Sequence, residues 1–508
     1  MHAHVAVVGG GPVGMLVAAE LAGYGVDTVV LETRADVSGQ PKANTMHARA
    51  VQSLARRGRL PEPGYRKPQG VSASAFHFAG LPGLVITAPE TEPVPIFKYP
   101  QSELERLFEE QALAAGARVL REHRVTGIVQ EPDGVRITAE GPAGPVSCTA
   151  RYVVGADGAR SAVRELAGIA SDTHRATVSA LMGTVRLTEP GSLKPGWHRT
   201  PRGHLAIKPD PDGGTHIRTL NCRAAHENRQ LPLSLEELRG EVSWIVGRDI
   251  AMEEPRWLSR FSDFTRIART FRSGRILLAG DAAHVHFPIG GQGLSTGILD
   301  AVNLSWKLAS TVHGRAAEGL LDTYDLERRP AAQRVVDNTR AQLALMRPVP
   351  EDGALGALFA GLLAADRESG YLREMISAQD TVYPSRTGST CSWEGVFLRN
   401  RVLTTGAGET DVIELLRDGR PALLLFGEAG TRHGDEARGW AGALNVVQAA
   451  PTPDVPHDAL LVRPDGYVAW SPEGGRLADA LSAYFAASPH PRGPAAVPSV
   501  SGSAIGRG

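Results

Sequence analysis

The sequence predicts an α/β protein: a doubly wound domain, interrupted by a mostly antiparallel β-sheet and followed by a smaller C-terminal unit. Three observations carry this. The chain opens as strand, glycine turn, helix and strand. A strand running into a glycine loop returns twice, near residues 152 and 275. Between 177 and 265 the pattern changes to short alternating stretches divided by Gly, Pro and Asp turns.

The opening unit reads as a strand at His4–Val8, the turn Gly9–Gly14, a helix at Met15–Tyr24 and a strand at Thr28–Leu31. Gly9-Gly10-Gly11-Pro12-Val13-Gly14 fits GxGxxG, whose glycines permit a tight turn and bring pyrophosphate against N–H groups at a helix start. Glu32, at the end of the second strand, is placed to accept hydrogen bonds from an adenosine ribose. A plain glycine turn beside a surface Glu is the alternative, and it leaves the full strand-turn-helix-strand context without a purpose.

A helix near Ser102–Ala115 follows Tyr99-Pro100-Gln101, with strands at 118–129 and 135–139 around the turn Pro132-Asp133-Gly134. The strand Tyr152–Val154 then enters Gly155-Ala156-Asp157-Gly158-Ala159-Arg160-Ser161-Ala162-Val163-Arg164. An Asp-Gly turn here tightens the chain beside a dinucleotide, with Arg160 and Arg164 as cations for phosphate. Taken alone the motif fits equally an Asp helix cap with exposed arginines.

In the inserted stretch, His204, His216 and Arg218 sit on alternating strands, and alternation alone allows either pocket or solvent. The α/β pattern resumes with a strand at Arg275–Ala279, a loop at Gly280–Gly293 and a helix at Leu294–Val312. Asp281 follows the strand, where a carboxylate suits a polyol such as ribityl, and the glycine loop 290–293 aims N–H groups at an anion such as reduced flavin. His284 and His286 have metal-like HxH spacing but no third ligand nearby, so a metal is set aside. No Ser/His/Asp set or nucleophile elbow suggests hydrolysis.

Long helices run through Thr323–Met346 and beyond, and the C-terminal unit has strand candidates at Ala422–Phe426, Leu444–Val447 and Ala459–Val462. The resulting division is 1–176 and 266–390 for the two parts of the nucleotide domain, the second with a helical extension, 177–265 for the inserted sheet, 391–488 for the C-terminal unit, and a Pro/Gly/Ser-rich, disordered tail at 489–508.

Composition narrows the partners. The 54 basic and 55 acidic residues give no polyelectrolyte partner, so nucleic acid is not expected. No run approaches a membrane span and no export signal is read, so no membrane partner is expected either. Three widely separated cysteines, Cys148, Cys222 and Cys391, form no CxxC, which suits a cytoplasmic protein.

Together the three motifs resemble the single-component FAD-dependent hydroxylases of the para-hydroxybenzoate hydroxylase type. The segments GDAAHVHFPIGGQG, DAVNLSWKLA, LLDTYDLERRP and LLVRPDGYVAW are similar to those of bacterial aromatic polyketide hydroxylases. The resemblance implies FAD contacts at Gly11, Gly14, Glu32, Arg49, Gln101, Val125, Asp281, Pro288, Gly291, Gly293, Leu294 and Ser295, with Asp157 in the motif linking FAD to the nicotinamide cofactor. Read from the residues alone, Arg49 fits a solvated helix position equally well. Ser295 stands where many relatives have Asn, and Leu299 where many have Gln. The C-terminal unit resembles the family's thioredoxin-like appendage, here without CxxC.

The implied activity is NADPH-dependent reduction of FAD, reaction with O2 to a C4a-hydroperoxide, and oxygen transfer to a polycyclic phenolic ring. No catalytic protein residue is implied. Baeyer–Villiger insertion, a flavin oxidase or reductase, and a non-catalytic FAD-binding protein are the alternatives. Hydroxylation is favoured over Baeyer–Villiger insertion because the 284–297 loop offers only His284 and His286 as cations.

Overall fold

The computed structural model describes residues 1–40, 42–61, 72–210, 213–226, 231–347, 352–440 and 442–486; the tail expected at 489–508 lies outside them. The strand His2–Val8 is central in a sheet that runs in the order Arg272–Ser273, Ile276–Leu278, Gly144–Gly155, His2–Val8, Thr28–Leu31 and Arg118–Leu120. The last five strands are parallel to one another. An antiparallel meander, Arg124–Glu131 and Gly134–Gly141, adds to the first half of Gly144–Gly155.

Parallel strands buried on both faces carry unbroken apolar runs, and Val5 to Val8 and Thr28 to Leu31 are all buried. The helix Pro12–Gly23 is apolar nearly all round because it is covered by neighbours on every side. Its one acid, Glu20, is buried and accepts from Arg57 Nε and Arg59 Nε, each at 2.8 Å. The other expected strands and helices of this domain are present, with the last major helices at Gly293–Val312 and Thr323–Met346. The stretch expected as strand over 118–129 is instead broken by a turn at 121–123 into Arg118–Leu120, in the parallel sheet, and Arg124–Glu131, in the meander.

Between these parts stands a five-stranded antiparallel sheet in the order Gly196–Thr200, Gly203–Pro209, Thr215–Leu220, Ser179–Leu187 and Met252–Ser262. The helix Leu235–Val246 covers one face, where Leu205, Ile207 and Ile217 pack with Leu238, Val242 and Ile245. The opposite face looks onto the nucleotide domain. The hairpin Ser72–Phe78 with Leu81–Ala88, which the sequence reading did not place, walls the space between them.

The thioredoxin-like C-terminal unit is a six-stranded mixed sheet with Ala422–Phe426 and Ala459–Val462 fully buried at its centre. It docks on the two late helices through buried charge. Glu327 accepts from Arg463 Nη1 and Nη2 and from Lys307 Nζ, all at 2.8 Å, while Asp465 accepts from Trp306 Nε1 at 3.2 Å.

Candidate active site

One cavity of about 930 Å³ runs from the three glycine motifs to the bare face of the inserted sheet. At the motif end, Gly9 has φ +104°, and a side chain there would meet the Ala156 carbonyl oxygen at 2.5 Å. A Cβ on Gly14 would lie 2.0 Å from the Gly9 carbonyl oxygen. These glycines let the first turn, its helix and the Asp-Gly loop share one small volume, stitched by Ala156 N–H donating to the Val8 carbonyl at 2.8 Å. A Cβ on Gly11 would meet nothing within 4 Å; its open side faces the cavity at the helix start.

Glu32 lines the same end, its carboxylate held by the backbone N–H groups of Gly10 and Arg34. Gln101, Val125, Asp157, Asp281, Pro288, Gly291, Gly293 and Leu294 are also on the wall. Asp157 Oδ2 accepts from Val163 N–H at 3.1 Å, in the first turn of the short helix Ala162–Leu166, whose N-cap is Ser161, its Oγ accepting from Arg164 N–H at 3.0 Å. Asp157 Oδ1 is buried without a partner, and burial pushes its carboxyl above the usual range, partly offset by hydrogen bonds from Ser161 and the backbone. The open glycine cradle, two carboxylates for sugar hydroxyls and this orphaned oxygen fit a dinucleotide with a polyol arm.

Several expected contacts are elsewhere. Arg49 is neither at the cavity nor solvated: Nη2 donates to the Gln379 carbonyl at 2.7 Å, Nη1 to Gln52 Oε1 at 2.9 Å, and the guanidinium stacks 3.7 Å from the Phe397 ring centroid. Its position on an amphipathic helix gave no sign that residues 378–397 would cover it. Arg164 is likewise consumed, donating to the Ala282 carbonyl at 2.8 Å, whereas Arg160 does line the cavity. Gly14 lies beneath the wall, as a packing position. Ser295 is also off the wall, and its Oγ accepts from His47 N–H at 3.0 Å, tying the strand Thr45–His47 to the helix Gly293–Val312.

His47, which sequence reasoning missed, donates from Nε2 to the Gly290 carbonyl at 2.7 Å; burial lowers its pKa to about 4, so it is neutral. It holds the loop Ile289–Gly291, where Gly290 and Gly291 have φ +77° and +63°. His284 is buried against Asp300 Oδ2 at 2.7 Å, and the same oxygen accepts from Gly280 N–H at 3.0 Å. Arg328 Nε reaches Asp300 Oδ1 at 2.8 Å. Only His286 of the two loop histidines lines the cavity, and burial lowers its pKa.

Strand pairing settles the alternation left open in the inserted sheet. His204 opposes Leu220 and Ala206 opposes Arg218, so His204, Lys208, Arg218 and Leu220 share the face that lines the cavity, beside Met182, Ser259 and Phe261. His216 is on that face but half-buried behind them, bonded to Thr184 and Arg218. Phe76, Trp197 and Phe287 complete an aromatic lining.

Residues 2–339 match the FAD binding domain family, and 391–488 match the aromatic-ring hydroxylase C-terminal family. The chain is 37% identical to a rifampicin monooxygenase of Streptomyces venezuelae, covering 95% of this chain and 99% of that one. It is 36% identical to a dialkyldecalin synthase of Streptomyces rugosporus, covering 95% and 98%. Among solved structures, the anhydrotetracycline hydroxylase OxyS of Streptomyces rimosus superposes with a TM-score of 0.84 at 35% identity, covering 96% of this chain and 99% of that one.

Proposed function

The chain belongs to the FAD-dependent aromatic-ring hydroxylases, a family of NAD(P)H- and O2-consuming monooxygenases, and from that premise we propose that it hydroxylates a polycyclic, polyketide-like phenolic ring. The observation that carries the substrate class is the single cavity continuous from the glycine motifs to an aromatic-lined sheet face. Phe76, Trp197, Phe261 and Phe287 suit a broad planar ligand.

Gly11 and the start of Pro12–Gly23 would receive the pyrophosphate, Glu32 the adenosine ribose, and Asp281 the ribityl chain, with Gln101 and Val125 as walls. The loop 288–294, held from below by His47, would present backbone N–H groups and a helix N-terminus to the ring edge on which negative charge collects. When bound, FAD supplies the hydride acceptance and O2 activation that side chains lack. The protein's part is to hold the two planar rings in register and keep water out, which the apolar Met182, Phe261, Phe287 and Leu294 favour.

The relatives described as hydroxylases support ring hydroxylation over Baeyer–Villiger insertion. The scarcity of cations expected from the 284–297 loop does not: Lys208 and Arg218 enter the cavity from the sheet. The dialkyldecalin synthase favours a second reading, in which FAD binding serves a reaction without oxygen insertion. Incubation with NADPH, isotopically labelled O2 and a polycyclic phenolic ketone separates these. Label in a new phenol supports the proposal. Label in a lactone ring oxygen means Baeyer–Villiger insertion, and NADPH oxidation without label means an oxidase. Turnover of substrate with neither means the second reading. The cytoplasm is the proposed location, supported by three free cysteines among the described residues; no described helix is long and apolar enough to cross a membrane.

A further inference from the structure

The cavity face of the inserted sheet carries positive charge that flavin binding does not use. Lys208 lies directly opposite His216 in the antiparallel ladder, and Arg218 is two residues beyond His216 on the same face. Such diagonal neighbours are about 7–8 Å apart at the backbone, within reach of long side chains. Lys208 and Arg218 both line the cavity. Among the described residues neither has a carboxylate partner. The three acids of the wall, Glu32, Asp157 and Asp281, belong to the glycine motifs.

Among the described residues Arg218 is aimed by one hydrogen bond, from Nε to His216 Nε2 at 3.2 Å. That bond requires His216 to be neutral with its proton on Nδ1, facing Thr184 Oγ1 at 3.2 Å. Burial, then repulsion by Arg218 and Lys208, lowers the His216 pKa to about 4, consistent with that tautomer. The positive field crosses the cavity: His77, on the hairpin wall, is lowered to about 4 by burial first and then by Lys208, His47 and Arg218. Lys98 adds a further cation near Lys208. Like charges on neighbouring strands at a partly dry wall oppose each other unless an anion sits between them.

We propose that Lys208 and Arg218 form an anion subsite of the substrate pocket, which takes an ionised acidic group, a carboxylate or an equally acidic enolate, carried by the aromatic substrate. The guanidinium fork pairs with two oxygens of a delocalised oxyanion, and the lysine adds a point charge. This rests on the reading of the sheet face as the substrate wall, and it narrows the substrate class from phenolic rings to rings bearing an acidic group.

The test uses FAD-loaded enzyme and two probes with the same three-ring frame, anthraquinone-2-carboxylate and anthraquinone-2-carboxamide, titrated by flavin difference absorbance. The carboxylate should bind about tenfold or more tighter, since a hydrogen bond to a charged group outweighs a neutral one by about that factor. Arg218→Gln and Lys208→Met should each erase most of the preference, and Arg218→Lys should retain part of it. An unchanged flavin spectrum in the variants controls for folding. Equal binding of the two probes, no binding of the carboxylate, or a preference that survives in the double variant would each overturn the subsite. So would a rise in KM for NADPH but not NADH with the probe preference intact, which would assign the cations to the dinucleotide's 2′-phosphate. The monooxygenase reading fails separately, in the labelled-oxygen experiment, because the probe titration requires no turnover.

Discussion

Replacing Arg328 by Met tests whether the glycine-aspartate loop is held from behind by a buried ion pair. Arg328 and Asp300 are 2% and 0% exposed and meet at 2.8 Å. Arg328 also donates to Tyr383 Oη at 3.1 Å and to the Thr296 carbonyl at 3.2 Å. Burial alone would raise the Asp300 carboxyl, but His284 and Arg328 outweigh it and hold the group below the ordinary carboxylate range. Without the guanidinium, a carboxylate remains in a dry core with, among the described residues, Gly280 N–H and His284 as its donors. Removing one partner of such a pair costs about 3–5 kcal/mol, most of it the penalty of the charge left behind. Asp300→Asn strands the arginine instead and should cost about as much. The double variant leaves neither charge alone, so it should be less destabilised than the sum, with a coupling of about 1–3 kcal/mol. Urea unfolding of the apoprotein, followed by far-UV circular dichroism, reads the stability; FAD titration of the same variants reads the site, since ligand affinity would otherwise mix into the holoprotein midpoint. Single variants within about 1 kcal/mol of wild type, or strict additivity in the double variant, would refute the pair as the anchor of the loop.

Asp281→Ala should weaken FAD binding by about 1.5–3 kcal/mol, the worth of a hydrogen bond to a charged group, measured by fluorescence titration; unchanged affinity would misplace the ribityl site. Gly14→Val should yield protein without flavin, because even the Cβ would lie 2.0 Å from the Gly9 carbonyl oxygen, and a normal flavin spectrum would contradict that close approach. Arg49→Ala should lower thermal stability by about 2 kcal/mol through loss of its desolvated stacking on Phe397, while FAD affinity stays near wild type. A large rise in FAD Kd there would restore Arg49 to the cofactor site. Glu241 lies behind the sheet, bonded to Thr219 and Asn221, and burial raises its pKa from 4.5 to about 7. The folded state therefore keeps a proton that the unfolded chain releases, so this group's contribution is complete below pH 4.5 and is lost as pH rises to about 7. The slope is at most about 1.4 kcal/mol per pH unit. Glu241→Gln should remove that slope from a stability profile, and an unchanged profile would show that Glu241 does not carry it.

The sequence by itself determined which residues line the glycine-motif end of the cavity. Glycine turns, a strand-final acid and a helix start are local devices, and a dinucleotide constrains each within a few consecutive residues, so Gly11, Glu32, Asp281 and the 290–293 loop were legible in order. It also marked the change to an inserted sheet, because a period of two is a local signal. What it did not determine was anything fixed by partners far along the chain. Arg49 is set by residues 329 and 330 positions away, and Ser295 by a backbone N–H 248 positions away. Asp300 opens the segment DAVNLSWKLA, which resembled its relatives without a role for this carboxylate; folding placed the glycine-aspartate loop and Arg328 on its two oxygens. The segment LLVRPDGYVAW resembled its relatives without a stated role; only docking shows Arg463 and Asp465 buried against the two late helices of the flavin domain. In the inserted sheet, alternation divided Arg218 and Lys208 from Ile207 and Ile217 but did not say which set would face the cavity. That was decided when the helix Leu235–Val246 covered the apolar face, because burying aliphatic side chains there is favourable and burying two unpaired cations is not.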